Sequence, residues 1–418
     1  TAGFYDYGHL GTFLKIKFEN LWRNYFLNLG ENFYEVQPTE IMPEKVFAAS
    51  GHIKNFVDPV TKCKKCNSSF RADHLIEDKT KKTAEHLSNE QLSEKIKELK
   101  IKCLRCGSEL GEVSYTNLMF SMKIGSNETG YLRPETAQGC YVAFKRMFDA
   151  TRKKIPLGLA IIGKAFRNEI SPRQGTYRLR EFTQAELQIF FDPDKITECE
   201  KFDEVADYKL KIKPADKEET EKISCKDLLN KLPKFYLYHL AKVQQFYLDV
   251  LSIEEKNFRF RELNKEEKAF YNKYHFDVEI FSVKFDSFKE VAGVHYRTDH
   301  DLSNHEKVSG ENLHVSIEDK KFIPHVLELS FGVDRNIYST LELSYSSDIL
   351  RLSPKLAPFT LGIFPLVKKD GVDTKAQELY KALKEKFDCF FDSGGSVGRR
   401  YARADEIGIP YCITVDYD

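Results

Sequence analysis

Two short polar stretches carry the densest concentration of chemically useful side chains in this sequence. Phe166-Arg167-Asn168-Glu169 closes one apolar run, and Arg178-Leu179-Arg180-Glu181-Phe182 opens the next. A guanidinium keeps its charge when partly buried and offers a planar fork of N–H donors, which matches phosphate oxygens. Phe182 adds a ring face on which a base can stack. A third stretch, Ser330-Phe331-Gly332-Val333-Asp334-Arg335, places an arginine in the first turn of an expected helix. Gly332 lets the backbone there approach a ligand closely. Each arginine taken singly reads equally as an ion-pair partner of its acidic neighbours. In this order and spacing they point to a phosphate-binding site.

The elements that must position these groups follow from periodicity. Residues 157–167 (Leu159, Ile161, Ile162) read as a buried strand. Residues 182–191 alternate apolar and polar positions and read as a second, with a polar turn at 168–175 between them. Residues 324–329 read as a further strand and 331–343 as the helix opening on Gly332. An amphipathic helix is expected over 13–29, ended by Gly30, with 33–36 extended. Residues 195–250 are charged and read as a helix-rich insertion that includes an amphipathic helix at 237–251. Residues 278–285 read as a strand followed by a polar loop. After Pro354 and Pro358, an apolar strand (359–366), a helix (374–387) and a strand (411–415) suggest a small separate α/β unit.

The 418 residues exceed one compact core and imply two or three domains. With 64 basic and 64 acidic residues the net charge is zero, so any RNA contact must come from local patches. The lysine-rich stretches 62–65, 79–82 and 95–102 read first as solvated faces. No apolar run is long enough to span a bilayer. The start at Thr1 has no basic or apolar signal segment and reads as a trimmed end. Nine cysteines without a secretion signal favour reduced thiols.

FRNEISPRQGTYRLREFTQAEL resembles motif 2, and SFGVDR motif 3, of class II aminoacyl-tRNA synthetases. The strand and helix before Pro43 resemble the dimer-forming motif 1. The surrounding segments GFYDYG, ASGH, RADHL, YLRPETAQG, AFYNKYHFDVE and YRTDHDLSNH resemble the homodimeric glycyl-tRNA synthetase family over nearly the whole chain. The resemblance implies an α+β fold: an antiparallel sheet flanked by helices, plus a C-terminal α/β anticodon-binding domain. It implies a catalytic domain at 1–350, with a Cys-rich insertion at about 58–112 and a helical insertion at about 195–275. The anticodon-binding domain at 351–418 is expected to be incomplete at its end.

By the same resemblance the chain is a cytoplasmic homodimeric ligase. It takes glycine, ATP with Mg²⁺ and tRNA(Gly), with no membrane partner. Arg167 and Arg335 are the expected catalytic groups. Arg167 would hold the α-phosphate, Phe182 and Arg335 would enclose the adenine, and Arg178 would hold the bent triphosphate. Asn168, Glu169, Tyr177, Leu179, Arg180 and Glu181 complete the motif 2 side of the ATP site. Gly332, Val333 and Asp334 complete the motif 3 side, with Glu290 and Val291 near the metal. The glycine ammonium would be held by Glu135, Glu186 and Glu328. Thr183, Gln184, Ala185, Leu329, Ser330 and Phe331 would sit beside it, and Arg71 would reach the carboxylate. Leu329 stands where this family usually has proline, as does His9. The motif arginines argue against a non-catalytic accessory subunit.

Two features remain open in the sequence. Cys63, Cys66, Cys103 and Cys106 form CxxC…CxxC, which suits a structural Zn²⁺ or an empty knuckle, with His74 as an alternative ligand. Cys140 reads as packing. In the C-terminal segment, Arg399, Arg400 and Arg403 would touch RNA phosphate or pair with Asp405 and Glu406.

Overall fold

The computed structural model describes residues 2–84, 87–170, 172, 174–264, 267–268 and 272–417. Residues 85–86 of the Cys-rich insertion and 171 and 173 of the turn 168–175 lie outside them, as does the start of the AFYNKYHFDVE motif.

The two strands expected around the polar turn form an antiparallel hairpin, Leu157–Phe166 and Glu181–Phe191, joined in register from Leu157 with Phe190 to Phe166 with Glu181. They sit inside a nine-stranded sheet. Phe33–Glu35 lies at one edge beside Leu157–Phe166, and His325–Gly332 and Ser287–Thr298 follow Glu181–Phe191. Tyr274–Ser282, Phe258–Glu262, Lys209–Lys213 and Glu221–Ser224 complete it. The pairs are antiparallel except those made by Phe33–Glu35 and between Lys209–Lys213 and Phe258–Glu262.

Side-chain alternation gives this sheet two chemically different faces. Gln184, Glu186 and Gln188 project to one side, and Ala185, Leu187 and Ile189 enter the main hydrophobic core on the other. On the neighbouring strand Glu328 and Ser330 share the polar side, while Leu327, Leu329 and Phe331 are in the core. Both faces of the central strands are buried, so they read in burial alone as uniformly interior.

The core face is covered by the helix His9–Phe26. Its Leu14, Phe18, Trp22 and Phe26 recur every four residues and are almost completely buried. Phe331 meets Phe26 at 4.9 Å and Trp22 at 6.0 Å between ring centroids, and stacks on Tyr247 at 5.9 Å. On the polar side the helix Ala137–Ala150 packs on Leu157–Phe166 through Phe144, Phe148 and Cys140. Cys140 is fully buried, its thiol 3.3 Å from the Leu159 carbonyl.

Several expectations are corrected here. The segment 195–250, expected to be a helix-rich insertion, holds the expected helix and two strands as well. Its strands Lys209–Lys213 and Glu221–Ser224 finish the central sheet, and Leu210 and Ile212 alternate into the core. The helix Lys234–Gln245 ends in a π-helical turn, Phe246–Val250. The polar segment after 285 is not a loop but the twelve-residue strand Ser287–Thr298. The motif 3 helix begins at Val333, because Gly332 still belongs to the preceding strand.

The cysteine-bearing segment is a three-stranded sheet of Val57–Cys63, Ser69–Arg71 and Leu110–Asn117 with the helices Ala72–Thr80 and Asn89–Glu98. Ser88 and Gln91 form a reciprocal capping box on the second helix. At the C-terminal end Leu361–Pro365, Cys389–Phe391 and Tyr411–Val415 form a parallel sheet with the helices Val372–Lys384 and Val397–Ile407. There Arg403 pairs with Asp392 at 2.8 Å, and the buried Arg400 donates to the carbonyls of Pro365, Gly394 and Gly395. Asp405 and Glu406 are therefore not their partners, and Arg399 alone of the three is exposed.

Phe331 shares its strand with Ser330 but serves only the core. Phe331→Ala should cost about 3–5 kcal/mol of stability, read as a lower denaturant midpoint. An unchanged midpoint would contradict the core assignment.

Candidate functional site

The polar face of the central strands opens into a cavity of about 250 Å³. The hairpin supplies Arg167, Glu169, Arg178, Phe182 and Glu186, and the strand His325–Gly332 supplies Glu328 and Ser330. The first turn of the helix Val333–Ser344 supplies Asp334 and Arg335, and the segment before Ala137–Ala150 supplies Glu135.

One end of the cavity is lined by arginines. Arg167 donates Nε to the Pro134 carbonyl at 3.0 Å and lies 5.3 Å from the Phe182 ring centroid. It forms no ion pair among the described residues. Burial and the neighbouring Arg335 both push its pKa down, against the opposing pull of Glu135, Glu169 and Glu290. Arg335 is fixed by the Tyr177 carbonyl at 3.0 Å and by Glu290, whose carboxylate lies at 3.2 Å. Arg178 pairs with Glu169 at 3.0 Å. Tyr177, Leu179, Val291 and Gly332 complete this wall.

The other end is anionic, and its three carboxylates are not equivalent. Glu328 accepts from Gln188 Nε2 at 2.7 Å, from Arg297 at 3.1 Å and from the His295 ring. Burial opposes its charge, but Arg297 and His295 outweigh burial and hold it down at about 2. Glu135 accepts from Gln138 Nε2 at 2.9 Å and faces His52 at 3.7 Å. Burial again opposes ionisation, and His52 and Arg297 hold it below the usual carboxylate range.

Glu186 differs. Its donors are all neutral: Thr136 Oγ1 at 2.5 Å, Ser330 Oγ at 2.6 Å and Gln184 Nε2 at 2.8 Å. Burial, with the charges of Glu328 and Glu135, pushes it from 4.5 up to about 7. Three acids thus converge on one end of the cavity: Glu328 is paired with Arg297, Glu135 faces His52, and Glu186 has only hydroxyl and amide donors.

Several expected site residues play other parts. The side chains of Ala185, Leu329, Phe331 and Val333 lie in the hydrophobic core. Asp334 has both oxygens occupied, by Tyr7 Oη and by the Thr183 amide at 2.5 Å each, so it ties the GFYDYG segment to the hairpin. Arg180 donates to the carbonyls of Glu169 and Ala2, Glu181 pairs with Lys164 at 3.0 Å, and Asn168 is exposed on the loop. Arg71 is not part of the cavity wall; it pairs with Asp58 at 3.2 Å and with Asp73.

Residues not anticipated from sequence complete the cavity: Asn272, His275, Gly293, His295 and Arg297. Arg297 is buried and grips Asp301 with Nε at 2.8 Å while reaching Glu328. The signal was present: Val294 and Tyr296 alternate with Gly293, His295 and Arg297 along Ser287–Thr298.

The four cysteine sulfurs of the inserted sheet lie within 4.8 Å of one another, with Cys63–Cys106 at 3.4 Å and Cys66–Cys103 at 3.6 Å. Backbone N–H groups of Lys65 and Arg105 point at the sulfurs of Cys63 and Cys103. His74 is not part of this cluster.

Comparison with known proteins agrees with this geometry. Residues 120–343 match the tRNA synthetase class II core domain (G, H, P, S and T), and residues 360–418 match an anticodon binding domain. The chain is 39% identical to a glycine–tRNA ligase of Pyrococcus abyssi, covering 100% of this chain and 88% of that protein. It is 37% identical to one of Methanothermobacter thermautotrophicus, covering 100% and 89%. Among solved structures it is similar to a Giardia lamblia prolyl-tRNA synthetase in complex with prolyl-adenylate, with a TM-score of 0.62 and 14% identity. A Cryptosporidium parvum prolyl-tRNA synthetase complexed with L-proline and AMP gives a TM-score of 0.57 at 14% identity. This chain spans 64% of the length of each of those two chains, and at this identity the likeness speaks to the fold alone. A core-domain match over more than half of the sequence, with relatives aligned along all of it, means that this chain belongs to the class II tRNA synthetases, in the family of the glycine–tRNA ligases.

Proposed function

We propose that this chain activates glycine with ATP and transfers it to the 3′ end of tRNA(Gly), and that Glu186 is the primary seat of the glycine ammonium. The observation that carries the second part is that no positively charged group among the described residues donates a hydrogen bond to Glu186. Glu328 and Glu135 face Arg297, His295 and His52, whereas Glu186 has only neutral donors. An ammonium placed between the three acids supplies that charge. Its three N–H donors match the oxygens that converge there. The same hydrogen bonds hold Thr136, Gln184 and Ser330 rigidly around it. A soft pocket would reject one added methyl by only about 1–3 kcal/mol, so rigidity is what excludes a side chain.

Glycine then lies with its carboxylate toward Arg167, at the boundary with the cationic end. The ionised carboxylate attacks the α-phosphorus, and the bond to pyrophosphate breaks. No general base is required, because the nucleophile is already charged. Arg167 stabilises the charge developing on the α-phosphoryl oxygens, and positioning supplies the rest. Phe182 and Arg335 enclose the adenine, and Arg178 bears on the outer phosphates. A terminal ribose hydroxyl of the tRNA then attacks the adenylate carbonyl, and AMP leaves.

Glu290 offers one partly exposed carboxylate at the phosphate end. That suits Mg²⁺ held mainly by ATP phosphates and water. Bound there, the ion would neutralise phosphate charge. For zinc, four thiolates about 2.3 Å from a tetrahedral centre lie about 3.8 Å apart, close to the sulfur separations above. Cys63, Cys66, Cys103 and Cys106 would hold it, and its role would be structural.

No helix among the described residues is long and apolar enough to cross a membrane. We place the enzyme in the cytoplasm as a homodimer. The pairing of two copies would use the motif 1 strand Phe33–Glu35 at the edge of the central sheet. The catalytic domain would span 1–350 and the tRNA-reading domain 351–418.

Arg167→Ala should lower glycine-dependent ATP–pyrophosphate exchange by about 10²–10³-fold with an unchanged circular dichroism spectrum; near-normal exchange would remove Arg167 from the chemistry. Alanine or serine supporting exchange as well as glycine would contradict the pocket assignment.

For pH dependence the sign follows from a carboxylate raised in the folded protein. Glu186 is neutral in the empty site below about 7 and ionised above it. Its ionisation weakens the empty fold as pH rises from 4.5 through about 7. The ammonium needs the ionised form, so KM for glycine should rise as pH falls below about 7. Glu186→Gln should raise that KM and flatten its pH profile. A KM independent of pH in the wild-type enzyme would contradict the assignment.

A further inference from the structure

We propose that His275, Asp277 and His295 form a second metal site, distinct from the four cysteines, which takes a divalent first-row transition ion such as Zn²⁺. The site arises from strand register. His275 and Asp277 are two apart on Tyr274–Ser282 and share a face. His295 pairs with His275, and Gly293 pairs with Asp277, on Ser287–Thr298. The four positions form a square on the polar side of the sheet, with ligands at three corners and no side chain at the fourth.

One ligand atom from each of His275, Asp277 and His295 lies within 4.8 Å of the others. The fourth corner must stay bare: a Cβ at Gly293 would stand 2.3 Å from His295 Nε2. The absent side chain keeps open the space into which that nitrogen points.

Each ligand is held by a further group that leaves one coordinating atom available. Glu328 binds His295 Nδ1, so Nε2 is the coordinating nitrogen. Arg261 binds Asp277 Oδ2 at 2.8 Å, so Oδ1 is the coordinating oxygen; it now lies 3.1 Å from His275 Nε2, a contact that an ion between the two atoms would replace. Asn272 Nδ2 lies 3.2 Å from His275 Nδ1, and Asn272 Oδ1 is buried without a hydrogen-bond partner. Rotating that amide end for end turns Oδ1 toward His275. Nδ1 would then donate its proton to Oδ1, and Nε2 would present a lone pair. Carboxylate and carbonyl groups behind metal-bound histidines commonly fix the tautomer in this way.

Two imidazoles and one carboxylate, with open positions toward the cavity, suit zinc, cobalt, nickel or ferrous iron and are a poor match for Mg²⁺. His275 and His295 of the site line the cavity wall, and His295 is bound to Glu328.

The test uses the full chain stripped of metal and titrated with Co²⁺ in the presence of excess Mg²⁺, followed by calorimetry and visible absorption. Wild type should bind one more Co²⁺ per chain than His275→Ala, and the extra ion should show no thiolate-to-metal charge-transfer band. Gly293→Ala retains all three ligands and should lose the same ion. In the unmutated protein, Zn²⁺ should shift the side-chain ¹⁵N signals of both His275 and His295, which needs no variant to fold. Equal Co²⁺ binding by wild type and both variants, thiolate bands for every bound ion, or unshifted histidine signals would overturn the proposal. In that case His275–Asp277 and His295–Glu328 are hydrogen-bonded pairs only.

Discussion

Glu186 and Glu328 sit two steps apart on paired strands, and their surroundings treat them oppositely. Strand register sets Ser330 across from Glu186 and Gln188 across from Glu328. The first acid therefore receives neutral donors. The second lies across from His295 in the strand on its other side, with Arg297 within reach. One buried carboxylate has its charge balanced within the protein and the other does not. A buried ion without a partner is unfavourable unless it is neutralised or a ligand supplies the opposite charge. That constraint gives the cavity its anionic end, its direction and its pH sensitivity.

Most of the architecture can be understood as holding that imbalance in place. The helix His9–Phe26 and the aromatic cluster at Phe331 fix the strands from the core side. Gln138 and Tyr141 from Ala137–Ala150 occupy the hydrogen-bonding groups of Glu135 and Gln188, so those groups cannot rotate to relieve Glu186. Asp334 binds the N-terminal segment to the hairpin through Tyr7 and Thr183. At the other end Arg335 and Arg178 pair with Glu290 and Glu169, and Arg167 forms no ion pair among the described residues. The cavity thus has carboxylates at one end and arginines at the other, which is the polarity required by an amino acid lying beside a triphosphate.

The hairpin was readable in the sequence because local periodicity and charge spacing suffice to define it. Leu157–Phe166 and Glu181–Phe191 fell within a residue of where alternation placed them. Arg167, Phe182, Glu186 and Arg335 could be singled out from residue type and motif. Ser287–Thr298 could not be separated from a polar loop by composition, since His295 and Arg297 look solvent-facing until the strands around them are paired. Arg297 is a buried cation only because Glu328 and Asp301 approach it. Motif resemblance also gathered too much. Contiguous residues such as Leu329 and Phe331 were grouped with Ser330, although strand geometry sends their side chains to the opposite face. Leu329 therefore belongs to core packing and not to the cavity lining.

The direct test is a titration of the Glu186 side-chain carboxyl by ¹³C NMR, in the free enzyme and with glycine bound. The account predicts a midpoint near 7 in the free enzyme, moving down toward the ordinary carboxylate range when the ammonium binds. An ordinary midpoint in the free enzyme, or a raised one that glycine leaves unchanged, would contradict it.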